Sequence, residues 1–263
     1  MSQQPIPLRK RRPRRMLFWM LGILVVIGAV GAFAAYKLFF SGTSRSARWL
    51  DYWGLHNDAA AMAAFVIEPG ARCDDAAFAF PTRGVIFGLW DESYRVGHRH
   101  QGLDIFPGTE PGVTPVYAAH AGYLRRLADW KSTVIIRIPE DPLQPSRQIW
   151  TYYTHMADVD GNSYISAEFP PGTTEVWVAA GTFLGYVGNY SGSAVNPTGV
   201  HLHISVVKDD GEGTFTNELD INNTYDPTPY FNLPVDYNEN PDDFPVCAGT
   251  VTVDDWELVP DHE

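Results

Sequence analysis

From residue 16 to residue 36 the chain reads MLFWMLGILVVIGAVGAFAAY, 21 residues without a charge. A run of that length is not the surface of a soluble domain. As a helix rising about 1.5 Å per residue it crosses the roughly 30 Å of bilayer hydrocarbon, where a single segment can satisfy its own backbone only as a helix. The basic block RKRRPRR, residues 9–15, stands directly ahead of it. The positive-inside rule then keeps the N-terminus cytoplasmic and puts the rest of the chain outside. The triplet Ala32-Phe33-Ala34 has the small-x-small form of a signal-peptide cleavage site, which would release the domain instead. The run is longer than an ordinary signal core and favours a single-pass anchor. Both readings export the domain.

The charge distribution narrows the partners. Residues 1–15 hold six basic residues and no acidic one, whereas the remainder carries 13 basic against 31 acidic, a net of −18. Neutralising phosphates needs a basic surface, so an exported body this acidic is not expected to take nucleic acid. With 263 residues, 45% of them hydrophobic, the chain can build one sizeable core plus appendages. Cys73 and Cys247 are its two cysteines. In an oxidising compartment they either pair across the body or remain as two free thiols.

Five segments are expected: a basic cytoplasmic stretch (1–15), the anchor (16–36), a linker with a short helix (37–74), the main domain (75–232) and an acidic tail (233–263). Within the linker, WLDYWGLHNDAAAMAAFVI from Trp49 has helix-forming composition with apolar residues at helical spacing, and Gly70 is placed to close it. From about Ala77 short β-rich runs alternate with Gly and Pro: GVIFGLW, PVYAAHAGYLRRL, TVIIRI, IWTYYTHM, EVWVAAGTFLGYVG and HLHISVV. No helical run is long enough for βαβ units, so the domain is expected to be mainly β, with an antiparallel sheet. PEDPLQPSRQ and ADVDGNSYISAEFPPGT read as insertions between strands. From Pro234 the last thirty residues hold nine acidic residues and no basic one, which predicts a solvated, loosely packed tail.

The chemistry concentrates in three places. In GVHLHISVV, residues 199–207, His201 and His203 lie two apart and share one face of a strand, with Val200, Leu202 and Ile204 on the opposite, core-facing side. In HRHQGLDI, His100 and Asp104 would stand about 13 Å apart along a flat strand. Gly102 between them allows the bend that brings both to one point. With one histidine of the HLH pair they form a His, Asp, His set of the kind that holds catalytic zinc and leaves a fourth position for water. Calcium and magnesium prefer oxygen alone. His155, in YYTHM, is the third element. His98 reads as a surface or neighbouring residue, and His56, His120 and His262 have no partner group.

These residues resemble the M23 family of zinc metallopeptidases, the LytM or lysostaphin-type endopeptidases that cut peptidoglycan peptides. The resemblance rests on H-x-G-x-D at residues 100–104, Y-x-H at 153–155 and H-x-H at 201–203, and covers roughly residues 75–232. Pro81, Gly84, PVYAAHAGYL, VAAGTFLGYVG and SGSAVNPTGVHLH stand between or before the motifs as spacers. It implies a LytM-like β-sheet domain behind the membrane helix, with one Zn2+ per chain held by His100, Asp104 and His203. His155 and His201 would flank the metal's water as catalytic residues. The implied reaction is hydrolysis of peptide bonds in peptidoglycan cross-links or stem peptides, in which zinc lowers the pKa of its water and polarises the carbonyl. The alternative is a non-catalytic LytM-like domain that binds cell wall or activates another hydrolase. Met156 stands where Leu is usual, Ile204 and Ser205 replace a common Phe and Glu, and the segment after His155 is long.

Overall fold

The structure is a computed structural model that describes residues 13–39, 58–92, 98–235, 244–247 and 250–252. Helix α1 (Pro13–Phe39) contains one stretch long and apolar enough to cross a membrane, and the described side chains of that stretch are exposed. A short helix α2 (Ala59–Ala63) comes next, capped by Asp58, whose carboxylate accepts from the amides of Ala60 and Ala61. The helix expected to reach Gly70 thus ends at Ala63, and residues 49–57 lie outside the described part. Packing overrides composition here. Phe65 and Val66 turn into a cluster with Val85, Phe87 and Phe244, and Ile67 makes a β-bridge to Gly84.

Apart from one 3-10 turn (Ile221–Asn223), the remaining described elements are strands: β1 (Ala71–Cys73), β2 (Val85–Gly88), β3 (Leu103–Phe106), β4 (Pro115–Tyr117), β5 (Gly122–Arg125), β6 (Val134–Ile138), β7 (Ile149–Thr154), β8 (Val176–Val178), β9 (Phe183–Tyr186), β10 (Leu202–Lys208), β11 (Thr224–Tyr225) and β12 (Thr250–Thr252). The principal sheet has eight strands in the order β2-β3-β10-β7-β6-β5-β8, with β11 also paired to β10, and every one of its pairings is antiparallel. Two-stranded sheets β1-β12 and β4-β9 complete the fold. The chain is therefore mainly antiparallel β, as its alternating β-rich runs predict.

Strand alternation decides which side of the principal sheet is core. Leu202, Ile204 and Val206 of β10 and Ile149 and Tyr153 of β7 are fully buried in the main cluster with Ile86, Leu103, Ile105 and Ile136. The opposite face carries His203, Ser205 and Val207 on β10 and Trp150, Tyr152 and Thr154 on β7. There a smaller cluster of Ile135, Trp150 and Val207, joined by Trp130, Tyr152 and Phe215, covers one end. The other end is left to the histidines.

The two cysteines form a disulfide, Cys73–Cys247. It corrects the expectation of a loosely packed tail for the described pieces of the C-terminal segment. Phe244 is buried between Phe65 and Phe87, and β12 pairs with β1. Apolar residues among the acidic ones, together with one covalent tie, outweigh the solvation that composition alone suggests.

Candidate metal centre

Register builds the centre. His203 on β10 lies directly opposite Asp104 on β3, and cross-strand partners point to the same face with their Cβ atoms about 5 Å apart. His100 comes from the irregular segment just before β3, tied by backbone hydrogen bonds to residues 91 and 92: His100 N to Glu92 O at 2.7 Å and Asp91 N to His100 O at 2.8 Å. Gly102 serves this approach differently from the bend the sequence suggests. Its backbone is not left-handed, and a Cβ there would stand 2.2 Å from the Ile204 carbonyl, so what it supplies is room for the chain to run against β10.

Three atoms converge. His100 Nε2 lies 3.0 Å from Asp104 Oδ1 and 3.0 Å from His203 Nδ1, and Asp104 Oδ1 lies 2.9 Å from His203 Nδ1. All three residues are buried, between 5% and 8% exposed, which places the triangle out of bulk water. The other nitrogen of each imidazole is engaged. His100 Nδ1 stands 2.9 Å from the Leu89 carbonyl, and His203 Nε2 stands 2.9 Å from Glu218 Oε1. Those acceptors place the ring protons on His100 Nδ1 and His203 Nε2 in the neutral imidazoles, leaving lone pairs on the inward nitrogens.

With both rings neutral, the result is a triangle of two imidazole nitrogens and one carboxylate oxygen, all acceptors, facing one another at 2.9 to 3.0 Å. Mutual repulsion makes that arrangement favourable only around a positive charge, which a proton on His203 supplies in the metal-free protein and a cation supplies when bound. Zinc ligands about 2.0–2.2 Å from the ion stand about 3.3–3.5 Å apart in a tetrahedron, so the triangle needs to open by only a few tenths of an ångström. Among the described residues, these three are the ones grouped closely enough to share an ion. Donor chemistry, spacing and outer hydrogen bonds all fit zinc.

His155 and His201 border the triangle. His201 Nδ1 is 2.8 Å from the Gly199 carbonyl, and its Nε2 is 3.4 Å from Asp104 Oδ1. Its ring stacks on Phe106 with centroids 4.8 Å apart. His155 follows the last residue of β7 in a left-handed backbone conformation, φ 71°, unusual for a residue with a side chain. That turn brings its ring to 4.5 Å from His201 and 6.1 Å from His203, centroid to centroid, with Nδ1 2.6 Å from the Tyr190 carbonyl. Burial, then the neighbouring His201 and His203, push the His155 imidazole down to about 3, so it is neutral at physiological pH. For Asp104, burial pushes the carboxyl up, but the adjoining His100 and His201 outweigh it and leave it well below the usual range. For His203, burial pulls down, while hydrogen bonds to Asp104 and Glu218 prevail and hold it up to about 10.

The structure thus gathers all five motif residues: His100, Asp104 and His203 in the triangle, His155 and His201 beside it. His98 is partly exposed, His120 is half-buried against Phe78, and His56 and His262 lie outside the described residues. Two participants are invisible to pattern reading. Gly88, opposite Asp104 across a bulge, lacks the Cβ that would stand 2.5 Å from Asp104 Oδ2. Glu218 reaches His203 from a loop 15 residues downstream, at no motif spacing.

No family model and no curated protein matches the sequence. Solved structures do. In fold, the chain is similar to M23 and LytM-type peptidase structures. Helicobacter pylori Csd3 is 17% identical, with 59% of this chain and 34% of that one covered at a TM-score of 0.36. A mutant catalytic domain of the prophage-encoded M23 protein EnpA from Enterococcus faecalis is 23% identical over 51% of this chain and 88% of that one, TM-score 0.33. A protein assigned as a glycyl-glycine endopeptidase, LytM from Ruminococcus gnavus, is 23% identical over 73% of each chain, TM-score 0.37. The chain therefore spans about a third of the Csd3 protein's length. These likenesses are partial, and the chemistry of the site rests on the side chains themselves.

Proposed function

We propose that this chain is a membrane-anchored zinc endopeptidase that hydrolyses peptide bonds in peptidoglycan cross-links or stem peptides outside the cytoplasm. The observation that supports it is the convergence of three buried acceptors from His100, Asp104 and His203, with His155 and His201 alongside. These three would hold the ion, with one position left for a reactant, since the described residues bring no fourth ligand to the group. Bound there, zinc supplies a Lewis acid that polarises a carbonyl and brings the pKa of water towards 7.

The chain's own residues account for the rest. The Leu89 carbonyl and the Glu218 carboxylate hold the two ligand rings by their outer nitrogens. The Gly199 and Tyr190 carbonyls take the Nδ1 protons of His201 and His155, so each ring has an Nε2 lone pair to offer. Neutral His155 can orient an attacking water through its Nε2 lone pair, and whichever of His155 and His201 takes the water's proton can pass it to the leaving amine. His201, stacked on Phe106, is fixed to donate or accept beside the same point. No Ser or Cys nucleophile is required.

The substrate class comes from the resemblance of the three motifs to M23 peptidases. The basic block ahead of the apolar run supports an anchor with its N-terminus in the cytoplasm and the peptidase outside. The first test is zinc content of the full-length chain, purified in detergent without a metal-affinity tag, beside His100→Ala and Asp104→Ala. About one zinc per chain in the wild type, little in the variants, and cleavage of cell-wall peptides that a chelator abolishes would bear out the reading. A folded protein that takes up no zinc would overturn it in favour of a wall-binding or activating module.

A further inference from the structure

The loop between β10 and β11 returns over the open face of the principal sheet and ends with a carboxylate against the centre. Glu218 is 8% exposed, and its Oε1 lies 2.9 Å from His203 Nε2. Ser205, two residues beyond His203 on the same face of β10, donates its hydroxyl to the same oxygen at 3.1 Å. The loop is tied on both sides of Glu218. Thr216 N donates to Lys208 O at 3.0 Å, Asn223 Nδ2 to Asn217 O at 2.9 Å, and Gln101 Nε2 to Leu219 O at 3.0 Å. Phe215 anchors the same stretch between Trp130 and Trp150, 5.6 and 5.4 Å away by ring centroid.

Burying a carboxylate without a partner is costly, and this one is delivered to a single nitrogen by a loop fixed at several points. We propose that Glu218, oriented by Ser205, is the positioning residue for the metal centre: it accepts the Nε2 proton of His203 and thereby commits Nδ1, as a lone pair, to the ion. An outer carboxylate of this kind fixes the ring's tautomer and rotation and raises its basicity as a ligand. His100 Nδ1 meets the neutral Leu89 carbonyl in the equivalent place, so these two acceptors on the ligand histidines are unlike. The inference rests on the zinc reading of the site.

The test measures the zinc dissociation constant of the full-length chain by competition with a chromophoric chelator. It compares wild type with Glu218→Ala, Glu218→Gln, Ser205→Ala and, as reference, His203→Ala, with thermal melts of each. Glu218→Ala is expected to weaken zinc about 10- to 100-fold. Glu218→Gln, which keeps an oxygen acceptor without the charge, should fall between it and wild type, and Ser205→Ala should cost less than either. Nitrogen-15 spectra of the zinc-loaded protein should show the His203 proton on Nε2 in wild type and Gln, and lose its hydrogen-bonded signature in Ala. If wild type binds zinc and His203→Ala does not, yet Glu218→Ala stays within twofold of wild type, the positioning role is overturned while the zinc reading stands. Losses of affinity that merely track the melting temperatures, with the His203 signature unchanged, also overturn it. Failure of wild type to bind zinc removes both.

Discussion

Two glycines and one strained histidine illustrate how individual residues make room for the centre. A Cβ at position 88 would meet Asp104 Oδ2 at 2.5 Å, whereas one at position 102 would meet the Ile204 carbonyl at 2.2 Å. The nearest atoms at the first are those of the Asp104 side chain, Cβ included at 2.9 Å, so that residue must shift, whereas the second meets backbone, and the substitutions should separate. Gly88→Ala is expected to weaken zinc binding at least tenfold with little change in the urea midpoint. Gly102→Ala pushes β3 off β10 and should cost about 1–3 kcal/mol of stability, read from the same denaturation curves. His155 gives a pH signature. Its folded value, about 3, lies below the ordinary histidine value of about 6.5, so the folded protein stays unprotonated there while the unfolded chain takes up a proton. The stability this contributes is present above about pH 6.5 and drains away as pH falls towards 3. Replacing His155 with Gln should flatten the decline between pH 6.5 and 4.5 in the metal-free protein. The five motif residues could be named from sequence because fixed spacings on strands and at their ends carry them. Gly88 and Glu218 could not, because what identifies each is an atom brought from a distant part of the chain.

At the scale of elements, β10 does most of the organising. It pairs with β3, β7 and β11, and its alternation sends Leu202, Ile204 and Val206 into the core while His203 and Ser205 face the site. That division was readable from HLHISVV alone, since a period of two admits only one apolar face. The partner strands were not, because cross-strand register depends on contacts far apart in sequence, about 50 residues for β7 and about a hundred for β3. The helix after the anchor shows the opposite limit: AAAMAAF has the composition of a longer helix, yet Phe65 and Ile67 gain more by packing and bridging. The β10–β11 loop offers an element-scale prediction. Phe215→Ala should destabilise the domain by about 1–3 kcal/mol, less than a full core deletion because the ring is only partly buried. It should also speed amide exchange at residues 209–219, seen by mass spectrometry, before any strand of the main sheet loosens.

Over the whole molecule, length and charge bounded the expectation early: one body, too acidic for nucleic acid, behind a hydrophobic helix that reads as exporting it. What they left open was closure. The bridge between Cys73 and Cys247 joins positions 174 residues apart, and the described C-terminal pieces pack where acidic composition predicted solvent. Reduction, or Cys247→Ser, is expected to lower stability by about 2–5 kcal/mol, measured by denaturant titration with and without reductant. Zinc content, on the proposed reading, should remain near one per chain, since the three proposed ligands sit on and just before β3 and on β10 rather than on β1 or β12. The bridge also changes what damage means for this protein. A single backbone cut anywhere between the two cysteines, including the exposed stretches of residues 142–146 and 170–172, leaves both fragments covalently attached. Such a nicked molecule runs as one band on a gel without reductant and as two with it, and a nick that leaves the sheet pairings standing need not end its working life.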